Sequence, residues 1–161
     1  MRNRFVLSSA TNALMVLLCT CTAWAQTTTT KATPRAAAVS AHRVAIQVND
    51  SDPKVMNLAL NNAKNVIDYY KSKRQAVIVE VVTYGPGLHM LRSDTSPVKQ
   101  RVAEMSLAMQ EISFAACANT QANMAKQEGK DVTLVSEARV VPSGVVRLIE
   151  LQGEGYAYIR P

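Results

Sequence analysis

Disulfide staples, aromatic platforms and metal-ligand clusters are all scarce in this chain. Aromatic side chains make up 5% of it, and it holds two histidines, His42 and His89, and three cysteines. Cys19 and Cys21 fall in an N-terminal stretch that reads as an export signal, so processing leaves the single Cys117. One thiol closes no internal disulfide, which excludes a small disulfide-framework protein, and the processed chain keeps no Cys-x-x-Cys pair. Two isolated histidines and one thiol do not make a zinc site, so no metal is expected. No Gly-x-Gly-x-x-Gly follows a strand-like run and no phosphate loop is present, so no cofactor is expected either. Paired carboxylates are absent from the candidate strand-end loops, which leaves glycosidase-type acid–base chemistry without a candidate. The formal charge is +6, but the basic residues (Lys54, Lys64, Lys71, Lys73, Lys99, Arg101 and Lys126 among them) are scattered. Nucleic-acid binding needs a clustered basic face with stacking groups, and neither is visible.

What is present begins with the signal. Arg2 and Arg4 precede a short apolar core at Ala13–Leu18, and Ala23-Trp24-Ala25 supplies a small-x-small cleavage site. The apolar run is too short to span a bilayer, so residues 1–25 read as a removed signal peptide and the product as an exported, periplasmic protein without a membrane span. Residues 26–42, with Thr27–Thr30 and Ala36–Ala38, read as a flexible tether. Residues 43–161 remain for one domain, long enough to build its own core.

Along that domain strand-like and helix-like patterns alternate. Arg43–Asn49 is a β-branched run ending in the turn cluster Asn49–Pro53, where Asp50 or Asp52 can cap a helix. Met56, Ala59, Leu60, Ala63, Val66, Ile67 and Tyr70 then recur at helical spacing. Ala76–Thr83 is nearly all apolar, as a strand covered on both faces should be, and stops at Tyr84-Gly85-Pro86-Gly87. Ser96-Pro97 looks like a cap with Pro in the first helical position. A third strand runs into Cys117, Asn119 is expected to cap a short helix stopped by Gly129, and a fourth strand ends at Pro142-Ser143-Gly144. Ser143 caps a last helix before a short final strand near Gly155–Ile159. This alternation predicts an α/β three-layer sandwich, a mostly parallel sheet of about five strands with helices on both faces.

In such sheets reactive groups gather outside the carboxyl ends of the strands. Four loops belong there, carrying Asn49 and Asp50; Gly85, Gly87 and His89; Cys117, Asn119 and Thr120; and Ser143 and Gly144. Cys117 is the nucleophile of the group: a thiol beside a helix N-terminus is biased toward thiolate, its reactive form. The residues leave a second reading open, in which Cys117 is a small buried hydrophobe. His89 is either a base or hydrogen-bond partner in that edge or a solvated loop histidine. Leu88-His89-Met90-Leu91 offers an apolar patch for a subunit contact beside the edge, or folds back on its own sheet.

Four segments carry a family resemblance: Leu58–Ala63, Val82–Gly87, Cys117-Ala118-Asn119-Thr120 and Val140–Val145, with the tail Tyr156-Ala-Tyr-Ile-Arg-Pro161. Over His42–Pro161 they resemble the DsrE/DsrF-like family of small sulfur-relay proteins. The resemblance implies a flavodoxin-like α/β sandwich, homo- or hetero-oligomers, and a cysteine at the position of Cys117 that carries a persulfide and passes it between a donor and an acceptor protein. Ala118 stands where close relatives tend to have Gly. The functional expectation is therefore an exported sulfur carrier, group carriage rather than metabolite turnover. Its alternatives are a non-catalytic oligomeric binding or assembly module with Cys117 buried, and a redox-responsive thiol protein. The tether generates its own expectation: residues 27–41 lack the apolar periodicity that would offset their ordering entropy. Deleting them should leave the melting temperature of the purified domain unchanged, and a fall of several degrees in calorimetry would show that they dock.

Overall fold

A computed structural model describes residues 41–161. The expected signal, 1–25, and nearly all of the expected tether, 26–42, lie outside the described residues; His42 opens the first strand. The elements are β1 (His42–Val48), α1 (Pro53–Ser72), β2 (Val77–Thr83), a 3-10 segment (Gly85–Leu91), α2 (Lys99–Ala108), β3 (Ile112–Cys117), α3 (Ala118–Glu128), β4 (Ala138–Val141), α4 (Gly144–Gly153) and β5 (Ala157–Ile159). The sheet order is β4-β3-β2-β1-β5 and every pair is parallel, so the expected five-stranded parallel sheet with helices on both faces is present.

Handedness decides which helix covers which face. The chain steps in one direction from β1 to β4, and right-handed crossovers then put their helices on one face; α4 returns the chain to β5 across the other. Side chains follow suit. Ile46, Val48, Val79, Val81, Ile112 and Phe114 meet Met56, Leu60, Ile67 and Val102 in the larger core. Ala45, Val82, Ala115 and Val141 meet Leu148 and Leu151 of α4 in the smaller one.

The smaller core contains a charge. Glu80, in the middle of β2 and 4% exposed, accepts two bonds from Arg147 of α4, from Nε at 2.8 Å and Nη2 at 2.8 Å. Arg139 of β4 donates a third at 2.9 Å. A two-pronged guanidinium–carboxylate contact fixes orientation as well as position, so Glu80 sets where α4 starts.

Two expectations are corrected here. Leu88, Met90 and Leu91 are fully buried in the larger core, so the 3-10 segment folds back onto its own sheet and offers no subunit patch. Three residues per turn place them inward while His89 stays on the rim. The second helix also starts later than Ser96-Pro97 implies, at Lys99 with Val98 as its cap. Ser96 instead ties this loop to the 3-10 segment, donating to the Met90 carbonyl at 2.6 Å and accepting from Val98 N–H at 3.3 Å. At the first helix Asp52 takes the cap, accepting from Lys54 N–H at 2.8 Å.

The Glu80 contact generates a stability prediction. Arg147→Met leaves a buried carboxylate short of its main partner and should cost about 3 kcal/mol in chemical denaturation. The double variant Glu80→Leu/Arg147→Met removes the stranded charge and should lose less than the single one; a larger loss in the double variant would refute this account.

Candidate functional site

Alternation along β3 sends Ile112, Phe114 and Ala116 to the larger core, and Ser113, Ala115 and Cys117 to the α4 face. Cys117 is both the last residue of β3 and the cap residue of α3, with extended backbone angles. Its register partner Val141 ends β4, and Pro142-Ser143 then turns into α4. The thiol therefore sits where two helices begin.

The donors around it come from both. Burial pushes the Cys117 thiol up, but the Thr120 hydroxyl and the backbone N–H groups of Gly144, Thr120 and Asn119 push it down further. The net result lies below the ordinary thiol value. Ser143 occupies its own side chain in capping, accepting from Val146 N–H at 3.5 Å, so the Gly144 N–H is left for the sulfur. The Asn119 N–H also reaches the Pro142 carbonyl at 3.4 Å and stitches the two helix starts together. Gly85 N–H donates to Thr120 Oγ1 at 2.9 Å, which orients the hydroxyl's own hydrogen away from Gly85 and toward the thiol. At Gly144 a Cβ would fall 2.9 Å from the Tyr84 Cβ, so only glycine lets this helix start close against β2's end. Cys117 itself is free of disulfides and 4% exposed.

Of the residues expected at the strand-end edge, Cys117, Asn119, Thr120, Ser143, Gly144 and Gly85 come together. Asn119 is not the cap expected of it: Cys117 holds that position, and Asn119 is the second helical residue with an exposed side chain. Asn49 and Asp50 close β1, where Asp50 accepts from Asp52 N–H at 2.9 Å and serves the α1 turn. Gly87 packs its backbone on the end of β1, where a Cβ would lie 2.2 Å from the Val48 carbonyl oxygen. His89 Nδ1 lies 3.3 Å from Thr95 Oγ1. Its ring lines a cleft of about 400 Å3 together with Ser51, Gly85, Pro86, Thr120, Asn123, Met124 and Gln127. Ser51 and the α3 residues beyond Thr120 were not anticipated; the spacing Thr120, Asn123, Met124, Gln127 is the helical stripe that could have shown them. Among the described residues no cluster of potential metal ligands occurs, and no helix is long and apolar enough to cross a membrane.

Fold and site together define a parallel α/β protein with a single thiol held between two helix starts. This chain belongs to the DsrE/DsrF-like family, which matches residues 42–161 and is of the sulfur-relay type. Among solved structures, it is similar to a protein of unknown function, MTH1491, from Methanobacterium thermoautotrophicum. The two are 34% identical with a TM-score of 0.61, over 74% of this chain and 99% of that one. No curated protein matches the chain.

The donor set generates a titration prediction. Ultraviolet absorbance of the thiolate, with Cys117→Ser as the blank, should report a pKa below that of an ordinary thiol. Thr120→Val removes the hydroxyl donor without changing the side chain's shape and should move the titration upward. An unchanged titration in that variant would remove Thr120 from the site.

Proposed function

We propose that this protein is an exported sulfur carrier in which Cys117 bears a persulfide. The observation that carries the reading is the set of donors on a buried thiol, from two helix N-termini and one hydroxyl, which favours the thiolate despite burial. In loading, the Cys117 thiolate attacks the outer sulfur of a donor persulfide; the new bond to Sγ forms, the donor's S–S bond breaks, and the donor leaves as a thiolate. In delivery, an acceptor thiolate attacks the outer sulfur on Cys117 and Cys117 leaves as a thiolate, so a sulfane sulfur moves with no net oxidation. A low thiol pKa serves both halves, as the attacking form in one and the better leaving group in the other. The compartment rests on the signal pattern of residues 1–25.

The 4% exposure of Cys117 favours a second reading, a binding or assembly module in which the cysteine is packing. Mass spectrometry separates the two. After incubation of the native protein with a low-molecular-weight persulfide, the carrier gains one sulfur atom at Cys117 and Cys117→Ser gains none. Modification that appears only after denaturation would sink the carrier reading.

We also infer a homo-oligomer, with α4 and the edge strand β4 as the contact in place of the buried Leu88–Leu91 segment. Val140, Val145, Val146 and Ile149 stand 53%, 50%, 50% and 64% exposed there, beside the helix start that touches the thiol. Adjacent exposed branched aliphatics of this size commonly mark contacts. Light scattering at micromolar concentration should find more than one subunit, and Ile149→Asp should shift the protein toward monomer without unfolding it. A monomeric wild type would refute the assembly.

A further inference from the structure

The cleft that shares Thr120 with the thiol's donor set, though Cys117 itself does not line it, has a chemistry of its own. One wall is the α3 stripe Thr120, Asn123, Met124 and Gln127; the other is the 3-10 segment, with His89 on its rim. No carboxylate, ammonium or guanidinium group lines it. The hydrogen bonds that wall side chains make are Gly85 N–H to Thr120 and His89 to Thr95, and among the described residues the exposed Asn123 and Gln127 carboxamides are uncommitted. Each carboxamide presents a donor and an acceptor, the same pair that a peptide unit presents. Four residues of helix rise about 6 Å, while peptide groups on one side of an extended chain recur every 6.6 Å or so, about the same interval. From Thr120 to Gln127 the stripe runs about 10 Å, the span of roughly three extended residues.

We propose that this cleft binds an extended three-residue peptide segment of the sulfur-exchange partner, its backbone paired with Asn123 and Gln127 and its cysteine at the Thr120 end. The proposal rests on the carrier reading for the identity of that partner, and it deepens it by naming how the partner is recognised. Met124 and the 3-10 segment supply apolar surface for a small neighbouring side chain. The lack of fixed charge favours an internal protein segment over a small peptide thiol with free termini, because the charged ends would be desolvated without counter-ions. Thr120 joins the two parts of the site, since its side chain both lines the cleft and donates to the thiol.

The test uses acetyl-Gly-Ser-Gly-amide, which binds without any sulfur chemistry, and glutathione as the charged small peptide thiol. Heteronuclear NMR on the whole protein should show the blocked peptide shifting the side-chain amides of Asn123 and Gln127. Asn123→Ala/Gln127→Ala should weaken binding about thirtyfold, the loss expected for two hydrogen bonds. Both substitutions are exposed and favour helix, so the fold is kept. In a rate assay on Cys117 the double variant should react more slowly with a disulfide of the blocked cysteine peptide and equally fast with methyl methanethiosulfonate. A blocked peptide that leaves these amides unmoved, or binds the double variant equally well, overturns the proposal. Tighter binding of glutathione overturns the assignment to a protein segment. A peptide that binds as expected to a protein whose Cys117 never gains sulfur supports the cleft and defeats the carrier reading.

Discussion

Because all five strands run parallel, every strand ends, and every following helix begins, at one edge of the sheet. That constraint converges the positive ends of helices on whatever side chain closes a strand. On β3 the closing residue is Cys117, and its neighbour β4 delivers a second helix start at Gly144 within reach of the same sulfur. Burial alone would suppress ionisation of such a thiol. Backbone N–H groups from two helices and an oriented hydroxyl outweigh it, so the topology itself supplies the electrostatics that favour the thiolate.

Two buried ion groups hold those helices in place. Glu80 grips Arg147 and sets α4 against the sheet. At the far end of α3 the almost completely buried Arg92 binds Glu128 and, at 2.8 Å, Asp94. Hydrogen bonding to that guanidinium holds both carboxyls below the usual range, Asp94 well below it. A glutamate at a helix C-terminus opposes the macrodipole, and here the arginine offsets the penalty. The clamp matters because α3 has no buried residue of its own. Its position is fixed by the capping turn at Cys117, by Arg92 at Glu128 and, between them, by Met124 packed against the larger core and Gln121 donating to the Val132 carbonyl at 2.7 Å. Asn123 and Gln127 are left free to line a cleft.

Legibility followed the type of signal. Strand runs such as Val77–Thr83 and the helical spacing of Met56, Leu60, Ala63 and Ile67 are long and strongly patterned, and the parallel sheet follows from them. The strand-end placement of Cys117, Thr120 and Gly144 was legible too, in a fold where ligands collect at strand ends. The segment Gly85–Leu91 was open to two readings because seven residues of 3-10 helix are too few to show their period, so its apolar residues could be taken as a surface patch. Asn119 was misassigned by cap preference, which ranks Asn above Cys, whereas strand length decides the matter: β3 runs through Cys117 and leaves that residue to cap. Asn123 and Gln127 lay on what reads as the solvated face of a short helix. Only the packing of that helix beside the 3-10 segment makes them the wall of a cleft.

On the proposed carrier reading, the thiol must be shielded and yet able to deliver its sulfur, and one small side chain bears on both demands. Cys117 is nearly inaccessible, so its thiolate is protected from stray oxidants and from bulk water. The side chain shared by the thiol's donor set and the cleft wall is Thr120, which Gly85 N–H fixes through one hydrogen bond of 2.9 Å. A single bond of that kind contributes about 1 kcal/mol net. Rotating Thr120 away breaks this bond and the one to the thiol, about 2 kcal/mol together, which would leave roughly one molecule in thirty open at any moment for a bound partner to select. The same rotation removes a donor from the sulfur and raises its affinity for a proton or a new bond. One motion of Thr120 therefore trades thiolate population for intrinsic nucleophilicity at Cys117.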